Sequence, residues 1–156
     1  IRLIELYSKN WLALDGVWFQ AIESKRGMDE AMQHDIEAWK RYTVIEARRI
    51  KQFLGLPEHP GLEGLAAALP LRFYGNLNQH ELVLEGDKLI YRNIDCRVQA
   101  ARRRKGMPYH PCKQVGIEEY SGFAKTIDDR IHCRCLSCNP DCDENADGCT
   151  WEFSME

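Results

Sequence analysis

Residues 81–92 have the sequence ELVLEGDKLIYR, and this stretch decides the fold class. Side chains on both sides of Gly86-Asp87 alternate with a period of two, which is typical of β-strands. A two-residue turn that begins with glycine joins antiparallel strands into a tight hairpin. In that register three pairs of residues face each other across the strands: Leu84 with Leu89, Val83 with Ile90, and Glu81 with Arg92.

The residues before the hairpin follow a helical period instead. Large apolar side chains recur at steps of three and four along residues 3–22, so we expect them to form one buried helix face. They are Leu3, Leu6, Tyr7, Trp11, Leu14, Trp18 and Ile22. A second helix is expected to begin near Asp29 and to end at Gly55, and a short third helix ends before Pro70.

The residues after the hairpin predict further helices and strands. We expect a helix over residues 96–105 with Asp95 as its N-cap, and another around residues 117–127. Strands are expected over residues 130–136 and 149–155. The fold class is therefore α+β, with N-terminal helices packed against a C-terminal antiparallel sheet that has inserted helices. We expect a single domain over 1–156, helical over 1–70 and containing the sheet and the cysteines over 71–156.

Charge and composition argue against some classes of function. The chain has 21 basic and 24 acidic residues, a net charge of −3, and 44% hydrophobic residues, which is typical of a soluble globular domain. It has no apolar run of the ~18 residues that a membrane span needs. Five cations lie within residues 97–105, but consecutive helical residues point in different directions, and the acids of residues 139–156 offer internal partners. We therefore expect neither nucleic-acid nor membrane binding, and the sequence leaves a homo-oligomer open.

Cysteine is confined to one part of the chain. All 7 cysteines lie between Cys96 and Cys149, and the first 95 residues have none. A secreted disulfide scaffold would spread its cysteines through a short chain, whereas a metal site concentrates them. The odd count excludes complete pairing within one monomer. A bound metal is the favoured interpretation, and disulfides or buried unliganded thiols remain alternatives.

Zinc is the expected cofactor, with an iron–sulfur cluster as the alternative. The spacing Cys135-x2-Cys138 allows two sulfurs from one turn to face one ion. The second pair is expected to be Cys96, at the start of a helix, and Cys112, in a proline-bounded loop. Four thiolates would close the coordination shell and make the site structural. The reserve ligands are Cys133, Cys142, Cys149, His110 and His132.

A polar stripe on the first two helices predicts either a ligand pocket or a structural ion-pair network. On the second helix polar and aromatic residues follow one another at steps of three and four, and Asp15 lies among aromatic residues of the first helix. Buried carboxylates need partners, which Arg48 or Arg49 could supply. The pocket would bind a small molecule or a partner. Its expected lining is Asp15, Trp18, Trp39, Glu46 and Arg49.

The alternative to a binding domain is an enzyme. A thiolate of Cys133 or Cys135 beside His110 or His132 would be a nucleophile, and a zinc ion with three ligands would activate water. The sequence assigns no catalytic residue, because it does not establish that these side chains meet.

Several segments of the chain also carry a family resemblance. They are 11–20 (WLALDGVWFQ), 45–51 (IEARRIK), 96–106 (CRVQAARRRKG), 111–113 (PCK), 135–141 (CLSCNPD) and 149–153 (CTWEF). Together they resemble an uncharacterised family of cytosolic proteins from anaerobic bacteria and archaea, over nearly the whole chain. The resemblance implies a cytoplasmic protein.

More distantly, the chain is similar to the L-2-amino-thiazoline-4-carboxylic acid hydrolase family and to the ligand-binding domain of the four-vinyl reductase type. In both, a strand leads to a cysteine that opens a helix, and a final strand carries Cys-x-aromatic. Cys96 and Cys149 match these two points. The resemblance implies an α+β fold and either hydrolysis of a small cyclic C–N or C–S compound or small-ligand sensing. Cys112, Cys135 and Cys138 depart from the hydrolase pattern and favour a metal.

Overall fold

The computed structural model describes residues 2–142 and 148–155, which fold as helices followed by an antiparallel sheet with two helices inserted. The predicted α+β class is confirmed. In chain order the elements are α1 (Arg2–Arg26), α2 (Met28–Leu54), α3 (Gly61–Ala68), two short 3-10 turns (Leu69–Leu71 and Phe73–Asn76), β1 (Gln79–Glu85), β2 (Lys88–Asp95), α4 (Arg97–Arg104), α5 (Lys113–Ile127), β3 (Ile131–Ser137) and β4 (Cys149–Met155).

The four strands form one antiparallel sheet in the order β1-β2-β4-β3. The register of β1 against β2 confirms all three predicted residue pairs. Arg92 Nη1 lies 3.4 Å from Glu81 Oε2, as the predicted cross-strand ion pair requires. Gly86 has a φ of 60°, a left-handed conformation that glycine adopts without strain, so the turn itself fixes the register.

Helix α5 lies between α2 and the sheet and forms the centre of the core. Its residues Phe123 and Ile127 are fully buried with Trp151 and Phe153 of β4. The approach of α5 to β4 is so close that a Cβ atom on Gly116 would lie 2.6 Å from Trp151 Cζ2. A side chain at this position would overlap the indole, so glycine allows the helix to meet the sheet.

A buried ion-pair network joins α2, α5 and the segment between α3 and β1. Arg72 Nε donates to Glu46 Oε2 at 2.9 Å, and Arg72 Nη2 donates to Glu119 Oε1 at 2.6 Å. The backbone N–H of Phe73 donates to the other oxygen of Glu46 at 3.1 Å. The sequence suggested Arg48 or Arg49 as partners of the buried carboxylates, but Arg72 fills that role, because its side chain reaches Glu46 of α2 and Glu119 of α5.

The prediction that α1 buries its large apolar face is wrong. Six of the seven residues expected there are between 42% and 66% exposed, and Ile22 is half-buried. The helix contacts the rest of the chain through Ser8, Phe19 and Glu23, and Trp11 of the expected face stacks on Tyr42 of α2. A helical period identifies an apolar face, but it does not determine which neighbour covers that face.

Two expectations about α4 also need correction. Asp95 is not the N-cap: Cys96 precedes the helix without a side-chain cap, and the N–H of Arg97 donates to Asn78 Oδ1 at 2.9 Å. Within the basic run, Arg102 is buried and its guanidinium donates to both oxygens of Glu23 at 2.9 and 2.7 Å. Its partner is thus an acid of α1 rather than one of residues 139–156. Of those acids, Asp143, Glu144, Asp147 and Glu156 lie outside the described residues.

Within the part of the chain that the structure describes, no helix combines the length and the apolar character that crossing a membrane demands.

Candidate functional site

A cavity of about 460 Å³ lies where α1, α4 and α5 meet the beginning of β4. The exposed surface of the cavity wall is largely apolar, and its aromatic residues are Phe19, Trp39, Tyr74, Tyr120 and Trp151. Four thiols also line it: those of Cys96, Cys112, Cys138 and Cys149. Each thiol comes from a different part of the chain, because Cys96 precedes α4, Cys112 precedes α5, Cys138 follows β3 and Cys149 begins β4.

The four cavity thiols form a connected group around Cys138. The sulfurs of Cys112 and Cys138 are 3.5 Å apart, and Cys138 also contacts the thiol of Cys149. The indole Nε1–H of Trp151 donates to Cys149 Sγ at 3.2 Å. Cys96 and Cys135 each lie near both Cys112 and Cys149. All seven cysteines belong to the described residues, and none of them forms a disulfide bond.

The environments of these thiols differ in their preference for charge. The Cys138 thiol donates a hydrogen bond to Cys112, which together with the neighbouring His110 lowers the pKa of Cys112 to about 5. The same hydrogen bond raises the pKa of Cys138, which keeps its proton. Burial raises the pKa of Cys96 to about 12. Cys112 is therefore the cavity thiol whose thiolate is stabilised.

His110 lies beside this group and pairs with a carboxylate of α2. Its Nε2 is 3.3 Å from Asp35 Oδ2. Burial opposes a charge on the imidazole, but Asp35 and the Cys112 sulfur outweigh it and raise the pKa of His110 to about 9. Gln99 holds the loop in place, since its side chain donates to the carbonyl of His110 at 2.8 Å and accepts from the N–H of His110 at 2.9 Å.

Two polar atoms of cavity-lining residues are buried without a partner. Among the described residues, Asn93 Oδ1 and His110 Nδ1 are the buried side-chain atoms that have no hydrogen bond. Both residues line the cavity, and they are only 5% and 7% exposed. A buried polar group without a partner is costly, so its presence in a native fold calls for an explanation.

Two carboxyls of the cavity wall have raised pKa values. Burial raises the pKa of Asp15 to about 6, with a further contribution from Asp35 and an opposing one from His110. Burial raises the pKa of Glu119 to about 7, against the opposing effect of Arg72. Glu119 thus belongs both to the buried ion-pair network and to the cavity wall.

The residues predicted for the ligand pocket are placed in different ways. Asp15 and Trp39 line the cavity, and together with Trp18 they also line a second cleft of about 350 Å³ between α1 and α2. Glu46 is held by Arg72, and Arg49 is exposed. Neither Glu46 nor Arg49 is among the residues that line the cavity or the cleft.

The predicted metal ligands are also placed in different ways. Cys96, Cys112 and Cys138 reach the cavity, and Cys149 from the reserve set joins them. Cys135 lies nearby on β3 without lining the cavity. Of the other reserve ligands, His110 lines the cavity, Cys133 and Cys142 are half-buried away from its wall, and His132 is exposed.

Sequence reasoning missed Asn93 and Glu119, although both left a signal. In β2 the inward positions are Leu89, Tyr91 and Asn93, so the amide stands at the end of an otherwise apolar row. Glu119 likewise interrupts the buried face of α5. A polar residue at an inward position is the pattern that marks such a site.

A compact group of possible metal ligands lies elsewhere in the fold. Within residues 2–142 and 148–155, three ligand atoms come within 4.8 Å of one another only at His59, Asp128 and Asp129. Asp128 is already bonded there by Arg130 at 2.8 Å and by the N–H of Gly61 at 2.9 Å, which explains the acidic group without an ion. The cavity thiols are close in pairs and do not form such a compact trio.

The fold has a solved counterpart. The phenol-responsive sensory domain of the transcription activator PoxR, solved with phenol, is similar with a TM-score of 0.57 and 14% sequence identity. The alignment covers 92% of this chain and 73% of that chain. At this identity the similarity shows the fold alone. No curated protein matches the chain.

Neither the L-2-amino-thiazoline-4-carboxylic acid hydrolases nor the four-vinyl reductase domain is named by these comparisons, so that distant resemblance stays a prediction. A family match covers nearly the whole chain, from residue 1 to residue 155. The chain belongs to this family, which is described as a family of unknown function (DUF6125).

Proposed function

We propose that this protein is a small-molecule-binding domain and that the 460 Å³ cavity is its ligand site. The observation that carries the proposal is the pair of buried atoms without a hydrogen bond, Asn93 Oδ1 and His110 Nδ1, on residues of a largely apolar wall. A ligand that pairs with both atoms would remove their desolvation cost. The cavity volume lies within the range of roughly 300–1,000 Å³ that is usual for small-molecule sites.

The wall also indicates the chemistry of the ligand. Asn93 Oδ1 accepts a hydrogen bond, so the ligand carries an O–H or N–H group. His110, with a pKa of about 9, is protonated at neutral pH and donates, so the ligand also carries an acceptor. The aromatic side chains of the wall, Tyr120 and Trp151 among them, suit a planar apolar body. A small hydroxylated aromatic compound meets all three requirements, and phenol, present in the PoxR sensory domain, is one example.

A fluorescence titration tests this function. We expect phenol or one of its methylated or hydroxylated derivatives to quench tryptophan fluorescence saturably, because Trp151 lies in the wall. Asn93→Leu, which keeps the volume and removes the acceptor, is expected to weaken binding roughly tenfold. Gln52→Leu, at an exposed position of α2, is the matched control. Absence of saturable binding for the whole series, or equal affinity in Asn93→Leu, would contradict the proposal.

We further propose that the thiol group beside this cavity binds zinc. Cys112, Cys138 and Cys149 supply three ligands, and Cys96 or Cys135 supplies the fourth. Two thiolates on one tetrahedral zinc are about 3.8 Å apart for Zn–S bonds of about 2.3 Å, and the sulfurs of Cys112 and Cys138 are 3.5 Å apart. Soft thiolates also suit an iron–sulfur cluster, which stays the alternative. A shell of four thiolates would give the ion a structural role.

Elemental analysis of anaerobically purified protein tests the metal. We expect about one zinc per chain, retained in Cys133→Ser, whose side chain lies outside the cavity wall, and lost in Cys138→Ser. Iron with sulfide would instead identify the cluster. Zinc and iron near zero, with most thiols freely titratable, would contradict metal binding.

A hydrolase acting on a small cyclic C–N or C–S compound is the second candidate. It is favoured by the row formed by Asp35, His110 and Cys112, in which an imidazole held by a carboxylate lies beside a stabilised thiolate. A zinc-bound Cys112 is not a free nucleophile, so alkylation separates the two functions. Rapid modification of Cys112 by iodoacetamide at pH 6 in metal-free wild-type protein would support the hydrolase, and protection by bound zinc would oppose it.

A further inference from the structure

The outer face of α1 is an exposed apolar stripe. Eight large apolar side chains of this helix are between 42% and 66% exposed, among them Tyr7, Trp11, Leu14, Val17 and Trp18. At about 100° per residue, all eight fall within an arc of roughly 160°. Most of the stripe faces away from the rest of the chain, and Trp11 within it stacks on Tyr42 of α2 with ring centres 5.2 Å apart. An exposed patch of this kind marks an interaction surface.

The spacing within the stripe is that of a helix that pairs with another helix. Leu3, Tyr7, Asn10, Leu14, Val17 and Ala21 follow one another at alternating steps of four and three. This is the heptad spacing of a coiled-coil seam, and a single polar residue such as Asn10 in such a seam fixes register and partner number.

We propose that two copies of this chain associate through the outer faces of their α1 helices. The exposed parts of the eight side chains amount to on the order of 1,000 Å² per copy, against the ~800 Å² per partner of a standard stable interface. A symmetric pair brings the same stripe from both copies together, so each apolar face finds an apolar face of equal length.

The charges of α1 favour a second copy of the chain, rather than a lipid surface, as the partner of the stripe. Glu5 and Lys9 bond each other at 2.7 Å away from the stripe, which itself carries no charge from Leu3 to Trp18. Helices that lie on membranes carry Lys and Arg along the polar face, whereas α1 carries both signs and the chain has a net charge of −3.

The α1–α2 cleft gives the pairing surface a recess. This cleft of about 350 Å³ is lined from the α1 side by Trp11, Leu14 and Trp18 and from the α2 side by Trp39 and Tyr42. A side chain of the opposite stripe can insert there, as a knob enters a hole between two helices. The inference does not rest on the ligand or the metal proposed above.

Sedimentation equilibrium of the full chain at micromolar concentration tests this pairing. We expect twice the 18.1 kDa mass of one chain. Leu14→Glu and Val17→Glu each place a charge in the seam, and we expect the dimer dissociation constant to rise roughly 100-fold or more. Circular dichroism checks that the variants stay folded, so that a loss of association is read only from folded protein.

Phe53→Glu is the matched control, because Phe53 is 81% exposed on α2 and lies outside the stripe. It is expected to remain dimeric. A monomeric wild-type chain would overturn the proposal, as would equal dissociation by Phe53→Glu and Leu14→Glu. A monomer that cosediments with phosphatidylglycerol vesicles would assign the stripe to a lipid surface and would equally overturn it.

Discussion

Two polar clusters lie side by side in this protein, and they differ in one respect. In the first, Arg72 joins Glu46 and Glu119, and each charged group has a partner. In the second, His110 and Asn93 line the cavity, and each keeps one buried polar atom without a hydrogen bond. A cluster with all partners present stabilises the fold, whereas a cluster with partners missing leaves room for a ligand. The comparison separates structural polar residues from candidate functional ones.

The largest effect on stability is expected from breaking the cluster of Arg72, Glu46 and Glu119, in which every charged group has a partner. Arg72→Met leaves Glu46 and Glu119 buried without a cation and is expected to lower the free energy of unfolding by about 3–5 kcal/mol. It also removes the guanidinium that lies 4.9 Å from the Phe123 ring centre. Urea denaturation measures the change. Arg49→Met, at an exposed position, is the control and should change stability by less than about 0.5 kcal/mol. Similar losses of stability in Arg72→Met and Arg49→Met would show that the buried cluster contributes no more to stability than an exposed arginine does.

An intermediate and pH-dependent effect is expected at Asp15. Its pKa in the folded protein is about 6, above the ordinary 3.8, so ionisation costs the folded state stability as the pH rises between these two values. Asp15→Asn removes this cost. We expect a gain of about 1–2 kcal/mol above pH 6 after allowing for solvent screening, and little difference below pH 4.

Urea denaturation of wild type and Asp15→Asn at pH 4, 6 and 8 measures this difference. The exposed Asp87→Asn in the hairpin turn controls for the substitution itself. A gain in stability that is the same at every pH would show that ionisation of the buried Asp15 carboxylate is not the source of the gain. Asp35 and His110 also influence the pKa of Asp15.

The smallest effect is expected from the cluster of His110 and Asn93. It is a gain in stability, whereas Arg72→Met is expected to cause a loss. Asn93→Leu replaces a partnerless buried acceptor with an apolar group of similar volume, so the ligand-free protein is expected to gain about 1 kcal/mol. Thermal unfolding of the ligand-free protein measures it. A loss of stability would show that Asn93 serves the fold, as Arg72 does, and would weaken its assignment to the ligand site.

Local rules account for what could be predicted from the sequence. The register of β1 and β2 follows from a two-residue turn and a period of two, both contained in residues 81–92. The helices of the first 70 residues follow from apolar spacing in the same way. The uncovered face of α1 did not follow, because an apolar face can be buried by its own chain or by another molecule.

The site combines local and distant information. Spacing and loop position led to Cys96, Cys112 and Cys138, and the structure places these three thiols along one cavity. The fourth thiol of the wall is Cys149 rather than Cys135, because strand pairing brings the first residue of β4 opposite Asn93 of β2. Neither that pairing nor the neighbours of Asn93 can be read from sequence spacing, since both depend on segments more than 50 residues apart.

The forked bond between Arg102 and Glu23 has a kinetic consequence. It joins residues that are 79 positions apart, and it holds α1 over the cavity. Apart from this bond α1 has little to hold it in a single copy of the chain, since eight of its large apolar side chains stay between 42% and 66% exposed. Helix α1 is therefore expected to dock last and to detach first. The amide protons of α1 would then exchange with solvent through partial opening, whereas those of α5 would exchange only through global unfolding.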